Sequence, residues 1–411
     1  MSALDEVQVP GAARTRGVVP ALVALSLGGF GIGVTEFVAM GLLPAIAQDL
    51  LPVQWAASPA AATATAGYLI SAYALGVVVG APVLATLGAR VPRKRLLVGF
   101  LIGFVVATAL SALLPTFGLV LAARFVAGLP HGAYFGIASV VASELLGPGN
   151  KGRAGSFILA GLTIANVVGV PAVTSLGQTA GWRPAYLVVA GLFAVALVAV
   201  AVLVPQQPRG VGAGMRSELR AFRSVQVWVA IGIGAIGTGG FFAVYSYVAP
   251  LVTGTAGLPE AAVPWALVVT GVGMTIGNLL GGWFADRGTG RALLVFGTAT
   301  AASLLLVGLL SPLPAGLFAA LLLLGISTMA LAPTVQARLM HAAGDAEGLG
   351  ASLNHAAMNI GNALGAFLGG LALASSGDAR DTAWVGLALC VAGIALSATG
   401  VRLERRHPIA G

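Results

Sequence analysis

Apolar residues run along this chain in about twelve blocks, each close to the roughly 20 residues that an α-helix needs to cross the hydrocarbon core of a bilayer. The blocks lie near 18–45, 63–88, 96–114, 118–146, 154–178, 185–204, 226–252, 263–285, 292–311, 315–340, 350–375 and 382–401. The longest polar interruption, 205–225, opens PQQPRGVGAG and closes with the basic segment MRSELRAFR, whose charges suit an interfacial helix. It parts six blocks from six. The pattern predicts an all-α membrane protein of twelve transmembrane helices: a segment 1–17, a half 18–204, a linker 205–225, a second half 226–401 and a tail 402–411.

The two halves are copies. At an offset of about 197 residues, Gly76, Gly80, Arg90, Lys94, Leu96 and Leu97 fall on Gly273, Gly277, Arg287, Arg291, Leu293 and Leu294, and Gly128 falls on Gly325. One residue off that offset, Ser156, Ile164, Asn166 and Gly169 fall on Ser352, Ile360, Asn362 and Gly365. Glycine also recurs at four-residue spacing, as in Gly361, Gly365 and Gly369, which lets helix backbones approach closely. The run GIGAIG at 232–237 has the letters of a dinucleotide fingerprint but lies inside an apolar block with no preceding strand, so it is read as helix packing.

Composition agrees with this picture. The chain of 411 residues is 58% hydrophobic and 8% charged, whereas soluble domains carry roughly 25% charge. The net charge of +8 would suit nucleic acid, but the basic residues alternate from loop to loop, which is a topological signal. With the N-terminus inside, Arg14, Arg16, Arg90, Arg93, Lys94, Arg95, Lys151, Arg153, Arg209, Arg216, Arg287, Arg291, Arg338 and Arg402 fall on the cytoplasmic side, and Arg183 and Arg380 fall outside. Both termini are therefore expected in the cytoplasm. The first apolar block is too long for a signal-peptide core, so an uncleaved first span is expected. Cys390 is the single cysteine, which leaves no internal disulfide or thiolate metal site. Loops are short and no Walker A sequence occurs, so the expected energy source is a gradient or a partner chain.

Three ionisable residues of the first half fall within the hydrocarbon region, where a charge costs at least roughly 2.5 kcal/mol and is a functional candidate by default. They are Glu36, Arg124 and His131. Counting at 1.5 Å per residue, Glu36 lies about 12 Å and Arg124 about 9 Å from the outer ends of their spans. The two are expected to pair, either as a proton switch or as a lock on the fold. Arg124, Gly128 and His131 share one helix face, and Pro130 is expected to kink that helix.

On the cytoplasmic side ARVPRKR (89–95), ADRGTGR (285–291) and Glu144 can form latches between the halves through Arg90, Arg93, Asp286 and Arg287, or can merely obey the topological charge rule. Asn166, Gln178, Asn354, His355, Asn359 and Asn362, with Tyr68, Tyr73, Tyr134, Tyr245 and Tyr247, supply polar groups for a cavity or for helix association. The histidines lack ligand spacing and no GxSxG elbow occurs, which argues against a membrane enzyme and against a metal or other cofactor.

These segments resemble a known family. TEFVAMGLLP (35–44), RFVAGLPHGAYFG (124–136) and GLTIANVVGVP (161–171) are similar to motifs of spans 1, 4 and 5 in the major facilitator superfamily, in particular its twelve-span drug:proton antiporters of the bacterial sugar-efflux and chloramphenicol-resistance branch. The resemblance implies a bacterial inner-membrane exporter of small amphipathic compounds or sugars that works by alternating access as a single chain. It makes Glu36 the acidic residue of span 1, Arg124 the arginine of proton coupling, and Gly161, Gly169 and Pro171 a bending element. Two departures stand out: Ala89 replaces the Asp expected before Arg90, and the span 5 motif ends GVP rather than with adjacent Gly and Pro. A proton symporter or facilitator for uptake has the same fold and much the same residues.

Overall fold

The computed structural model describes residues 12–88, 91–147, 149–206, 224–285, 287–343 and 347–406. Arg90, Asp286 and the whole segment MRSELRAFR expected to form an interfacial helix lie outside the described residues. Among the described residues, twelve helical segments are long and apolar enough to cross a bilayer: Gly17–Leu50, Pro59–Ala81, Arg93–Leu113, Phe117–Leu146, Arg153–Ala180, Trp182–Leu203, Val225–Tyr245, Glu260–Ala285, Thr289–Leu310, Pro314–Ala342, Leu353–Ser376 and Asp381–Gly400. They are called spans 1 to 12. An even number of crossings puts the start of span 1 and the end of span 12 on one side, here the terminal face; the opposite side is the distal face.

The duplication is visible as two seams. Gly76 and Gly80 of span 2 abut the carbonyls of Phe125 and Leu129 on span 4, so closely that a Cβ would have no room. Gly273 and Gly277 of span 8 abut the carbonyls of Leu322 and Ile326 on span 10. Gly128 meets the carbonyl of Tyr73, and Gly325 that of Thr270. Both partners of each contact recur at the offset of about 197 residues found in the sequence, so one packing unit is used twice. Span 5 packs likewise on span 1, where Gly169 meets Phe30 and Val34, and span 11 on span 7, where Gly365 meets the backbone of Gly239 and Ala243.

Three spans are broken where the sequence removes a backbone donor or relaxes the chain. Span 2 opens at Pro59 under a Ser58 cap, whose hydroxyl accepts the Ala61 N–H at 3.2 Å, and breaks again at Gly67. Span 4 divides into Phe117–Gly128 and His131–Leu146, because Pro130 cannot continue the hydrogen-bond ladder. The carbonyl of Val126 freed there is taken by the Leu129 N–H at 3.2 Å. Span 5 contains a π-helical turn, Ala165–Gly169, that ends two residues before Pro171. The wider turn absorbs the missing Pro171 donor. Gly161 acts differently, bringing span 5 against the backbone of Ser26 and Phe30 on span 1.

The packed interior is asymmetric across the membrane. Its largest apolar cluster crosses between the halves on the distal side, joining Phe37, Met40 and Leu43 of span 1 to Tyr245, Val248 and Leu251 at the end of span 7. The other clusters stay within one half each: one runs through the first half, where Phe104 and Phe193 stack 4.6 Å apart, and one holds Val227, Leu293 and Leu339 together on the terminal side of the second. The halves therefore meet on the distal face and part toward the terminal face.

Candidate functional site

Thr35 and Glu36 are neighbours on span 1, and successive side chains on a helix diverge by about 100°. That angle separates what the sequence suggested would pair. Arg124 is fully buried, and its guanidinium donates to the Thr35 hydroxyl at 3.1 Å and to the Thr35 carbonyl at 2.9 Å. Its plane lies over the rings of Tyr73 at 4.5 Å and Tyr186 at 5.6 Å. Glu36 turns the other way, toward span 11, where Asn362 donates to its carboxylate at 3.4 Å. The two charges share one depth but form no ion pair: among the described residues the ion pairs are Arg93 with Glu144 and Arg183 with Asp49. Arg124 is held by dipoles and aromatic faces within the first half, whereas Glu36 stands at the boundary with the second.

That boundary contains a cavity. Its wall draws Glu36 and Phe37 from span 1, His131 from span 4, Thr163 and Asn166 from span 5, and Phe242 from span 7. Spans 8, 10 and 11 add Met274, Thr275, Asn278, Met329, Gln336, Asn354, His355, Met358 and Asn359. Above it lies the distal apolar cluster; Leu159 and Gln336 carry its wall toward the terminal face. Glu36 is the carboxylate of this wall, and neither Lys nor Arg lines it among the described residues.

His131 stands where span 4 restarts, and its Nδ1 lies 3.0 Å from the Tyr73 hydroxyl. Tyr73 thus links the imidazole to the face under Arg124. From the second half, His355 of span 11 meets the edge of His131, with ring centroids 5.9 Å apart, and stacks flat on Phe135, at 5.1 Å and 7°. Of the cavity candidates, Asn166, Asn354, His355 and Asn359 line it. Tyr68, Tyr134 and Tyr245 do not. Tyr68 stacks on Phe367, Tyr134 donates to the Leu25 carbonyl at 2.8 Å under Gly28, and Tyr245 packs on Phe37 and Phe241 in the distal cluster.

Of the expected latch residues, Arg93, Glu144 and Arg287 are described. Arg93 pairs with Glu144, and this pair joins spans 3 and 4 within one half. Arg287 folds back on its own span, donating to the Trp283 carbonyl at 2.8 Å with its guanidinium 3.5 Å from the Trp283 ring. Neither bridges the halves. Among the described residues the polar contacts between the halves are elsewhere: besides Asn362 with Glu36, Gln178 donates to the Glu260 carbonyl at 2.8 Å on the distal face, and Ser71 to the Ala363 carbonyl at 3.1 Å between spans 2 and 11.

The family model described as Major Facilitator Superfamily matches residues 25–263 and 231–410. The chain belongs to the major facilitator superfamily. It is therefore a membrane transporter, not an enzyme. Among curated relatives it is 37% identical over 354 residues to the inner membrane transport protein YdhP of Escherichia coli (strain K12), covering 86% of this chain and 89% of that protein. It is 33% identical over 371 residues to the chloramphenicol resistance protein of Streptomyces lividans, covering 88% and 91%. Two solved structures share the fold at a TM-score of 0.75. One is a D-xylose-proton symporter, 16% identical, with coverage of 92% and 97%. The other is a bacterial homologue of the human lysosomal transporter Spinster in an inward-facing, unoccupied conformation, 15% identical, with coverage of 98% and 100%.

The superfamily fold brings in residues that sequence reasoning passed over. Thr35 opens the segment TEFVAMGLLP but carries no charge and so was not among the candidates, yet it supplies both oxygens that hold Arg124. Asn278 and Gln336 also line the cavity. For these two, an isolated amide within an apolar span was the available signal.

Proposed function

We propose that this transporter exchanges protons for a small amphipathic compound, exporting it from the bacterial cytoplasm by alternating access, with Glu36 as the proton carrier. The observation that carries the reading is the place of Glu36: a buried carboxylate, 6% exposed, on the cavity wall, whose side-chain partner Asn362 belongs to the opposite half. Its charge is thereby felt both by a bound molecule and by the boundary along which the halves move. An uncompensated carboxylate within the membrane costs at least roughly 2.5 kcal/mol. The halves therefore change over with a proton or a substrate at Glu36 and not with the bare charge, which is the condition for exchange without leak.

In this reading the terminal face is cytoplasmic, as the distribution of Arg and Lys supports. The cavity receives substrate from the cytoplasm while the distal cluster seals it. Residues 205–225 connect the two moving halves, 18–204 and 226–401. Arg124, fixed by Thr35 and Tyr73, acts as a standing positive field, and His131 with Tyr73 joins that field to the cavity. The π-helical turn before Pro171 supplies the bend of span 5, with Gly161 and Gly169 keeping it against span 1. Arg93 and Glu144 brace spans 3 and 4 during the motion. Apolar groups with scattered amides and hydroxyls suit a neutral amphipathic molecule of the kind named by the chloramphenicol resistance relative.

The test is accumulation of labelled chloramphenicol and a small sugar panel in a pump-deficient host expressing the chain or Glu36→Gln, with and without a protonophore. Lowered accumulation that is abolished by both the protonophore and Glu36→Gln is expected. Raised accumulation, or lowering that survives Glu36→Gln, would overturn the reading.

A further inference from the structure

The cavity wall holds two imidazoles in unlike settings. His131 is fixed by the Tyr73 hydroxyl at its Nδ1. His355 is fixed by shape: one face lies flat on Phe135, its ring meets the edge of His131, and Asn359 steadies the local turn by donating to the His355 carbonyl at 3.0 Å. Among the described residues no hydrogen bond reaches either ring nitrogen of His355. Phe135 does not line the cavity and His355 does, so the imidazole covers the phenyl ring and presents itself to the space between the halves.

This is the geometry of a recognition platform. A neutral imidazole offers one donor and one acceptor in its plane and an aromatic face above it. A ring already stacked on one side loses little freedom when a second ring stacks on the other. Methionines 274, 329 and 358 line the same space, and their unbranched side chains adapt to the outline of a flat guest. Phe37 and Phe242 complete the wall toward the distal seal. Charge narrows the choice further. The wall carries a carboxylate and no Lys or Arg, while Arg124 is committed to Thr35 and the tyrosine faces, so an anionic guest finds no counter-charge.

Resting on the exchange reading above for the direction of movement, we infer that His355 is the substrate-positioning residue and that the transported class is a planar aromatic ring bearing hydrogen-bonding substituents and no negative charge. Because His355 comes from one half and its backing from the other, a guest stacked there presses on a contact between the halves.

Binding tests this separately from transport. The purified full chain in lipid nanodiscs is titrated with labelled chloramphenicol, an uncharged nitrophenyl compound with hydroxyl and amide groups, and 4-nitrobenzyl alcohol, 4-nitrobenzoate and cyclohexylmethanol are used as competitors. Saturable binding is expected, displaced by the nitrobenzyl alcohol and not by the nitrobenzoate or the saturated ring. His355→Ala weakens it about tenfold or more through loss of stacking and a hydrogen bond, and His355→Phe, which keeps the stack, falls between the two. Melting curves of both variants confirm that they are folded. Absence of saturable binding, equal competition by the nitrobenzoate or the saturated ring, or an unchanged affinity in folded His355→Ala overturns the inference. If His355→Ala binds normally while Glu36→Gln abolishes export, the platform falls and the exchange reading stands. If binding follows the prediction but export ignores the protonophore, the exchange reading falls alone.

Discussion

Gly281 and Gly282 are adjacent on span 8 and should respond in opposite ways to the same added methyl group. A Cβ on Gly281 would press on the carbonyl oxygen of Ala330 and lie 2.7 Å from its Cα, whereas a Cβ on Gly282 meets nothing within 4 Å. Ordinary contact begins at 3.4 Å, so Gly281→Ala requires spans 8 and 10 to separate by at least about 0.7 Å. The obstacle is backbone, which cannot rotate away. Overpacking of this kind costs about 1–3 kcal/mol, and the gain in helix propensity from Gly to Ala offsets roughly 1 kcal/mol of it. Gly282→Ala receives the propensity gain alone. The two variants should therefore differ by about 1–3 kcal/mol, with Gly281→Ala the less stable. Cys390, 1% exposed and the single cysteine of the chain, gives the readout: a dye that fluoresces on thiol reaction reports unfolding of the second half as temperature rises. Equal melting temperatures, or a lower one for Gly282→Ala, would refute the packing argument for the seams.

Thr35→Val removes a hydroxyl from a buried guanidinium; it is expected to cost about 1.5–3 kcal/mol in thermal stability and to impair export, which melting curves and the accumulation assay check. Gly67→Ala puts a methyl group against the Tyr247 hydroxyl, whose bond to the Ala366 carbonyl at 2.7 Å helps close the distal side. An added Ala366→Cys should then react faster with an impermeant thiol reagent applied from outside, and an unchanged rate would argue against the seal. Arg93→Gln breaks a partly exposed pair within one half, so stability should change by under about 1 kcal/mol and export should persist; loss of export would restore Arg93 as a gate between the halves.

The sequence showed the spans and the seams well because both depend on one-dimensional quantities. Length and apolarity set a span, and a repeated glycine at a fixed offset sets a seam, as Gly128 and Gly325 do. The site was less legible because it depends on rotation about helix axes. Depth along the helix placed Glu36 and Arg124 together; the angle between positions 35 and 36 sent the arginine to Thr35 and left the carboxylate to Asn362. Tyr134 and Tyr245 look from sequence much like His131 and Asn354, but their side chains fall on faces turned into helix packing. Which stripe of a span faces the cavity is decided by its neighbours, and six-helix packing is not encoded in any one span.

Exchange of a proton at Glu36 for an outgoing molecule is measured most directly in proteoliposomes loaded with a pH-sensitive dye. A chloramphenicol gradient imposed across the membrane should drive protons in the opposite direction, with no such movement for Glu36→Gln. Proton movement in the same direction as the compound, or countermovement that persists in Glu36→Gln, would contradict it.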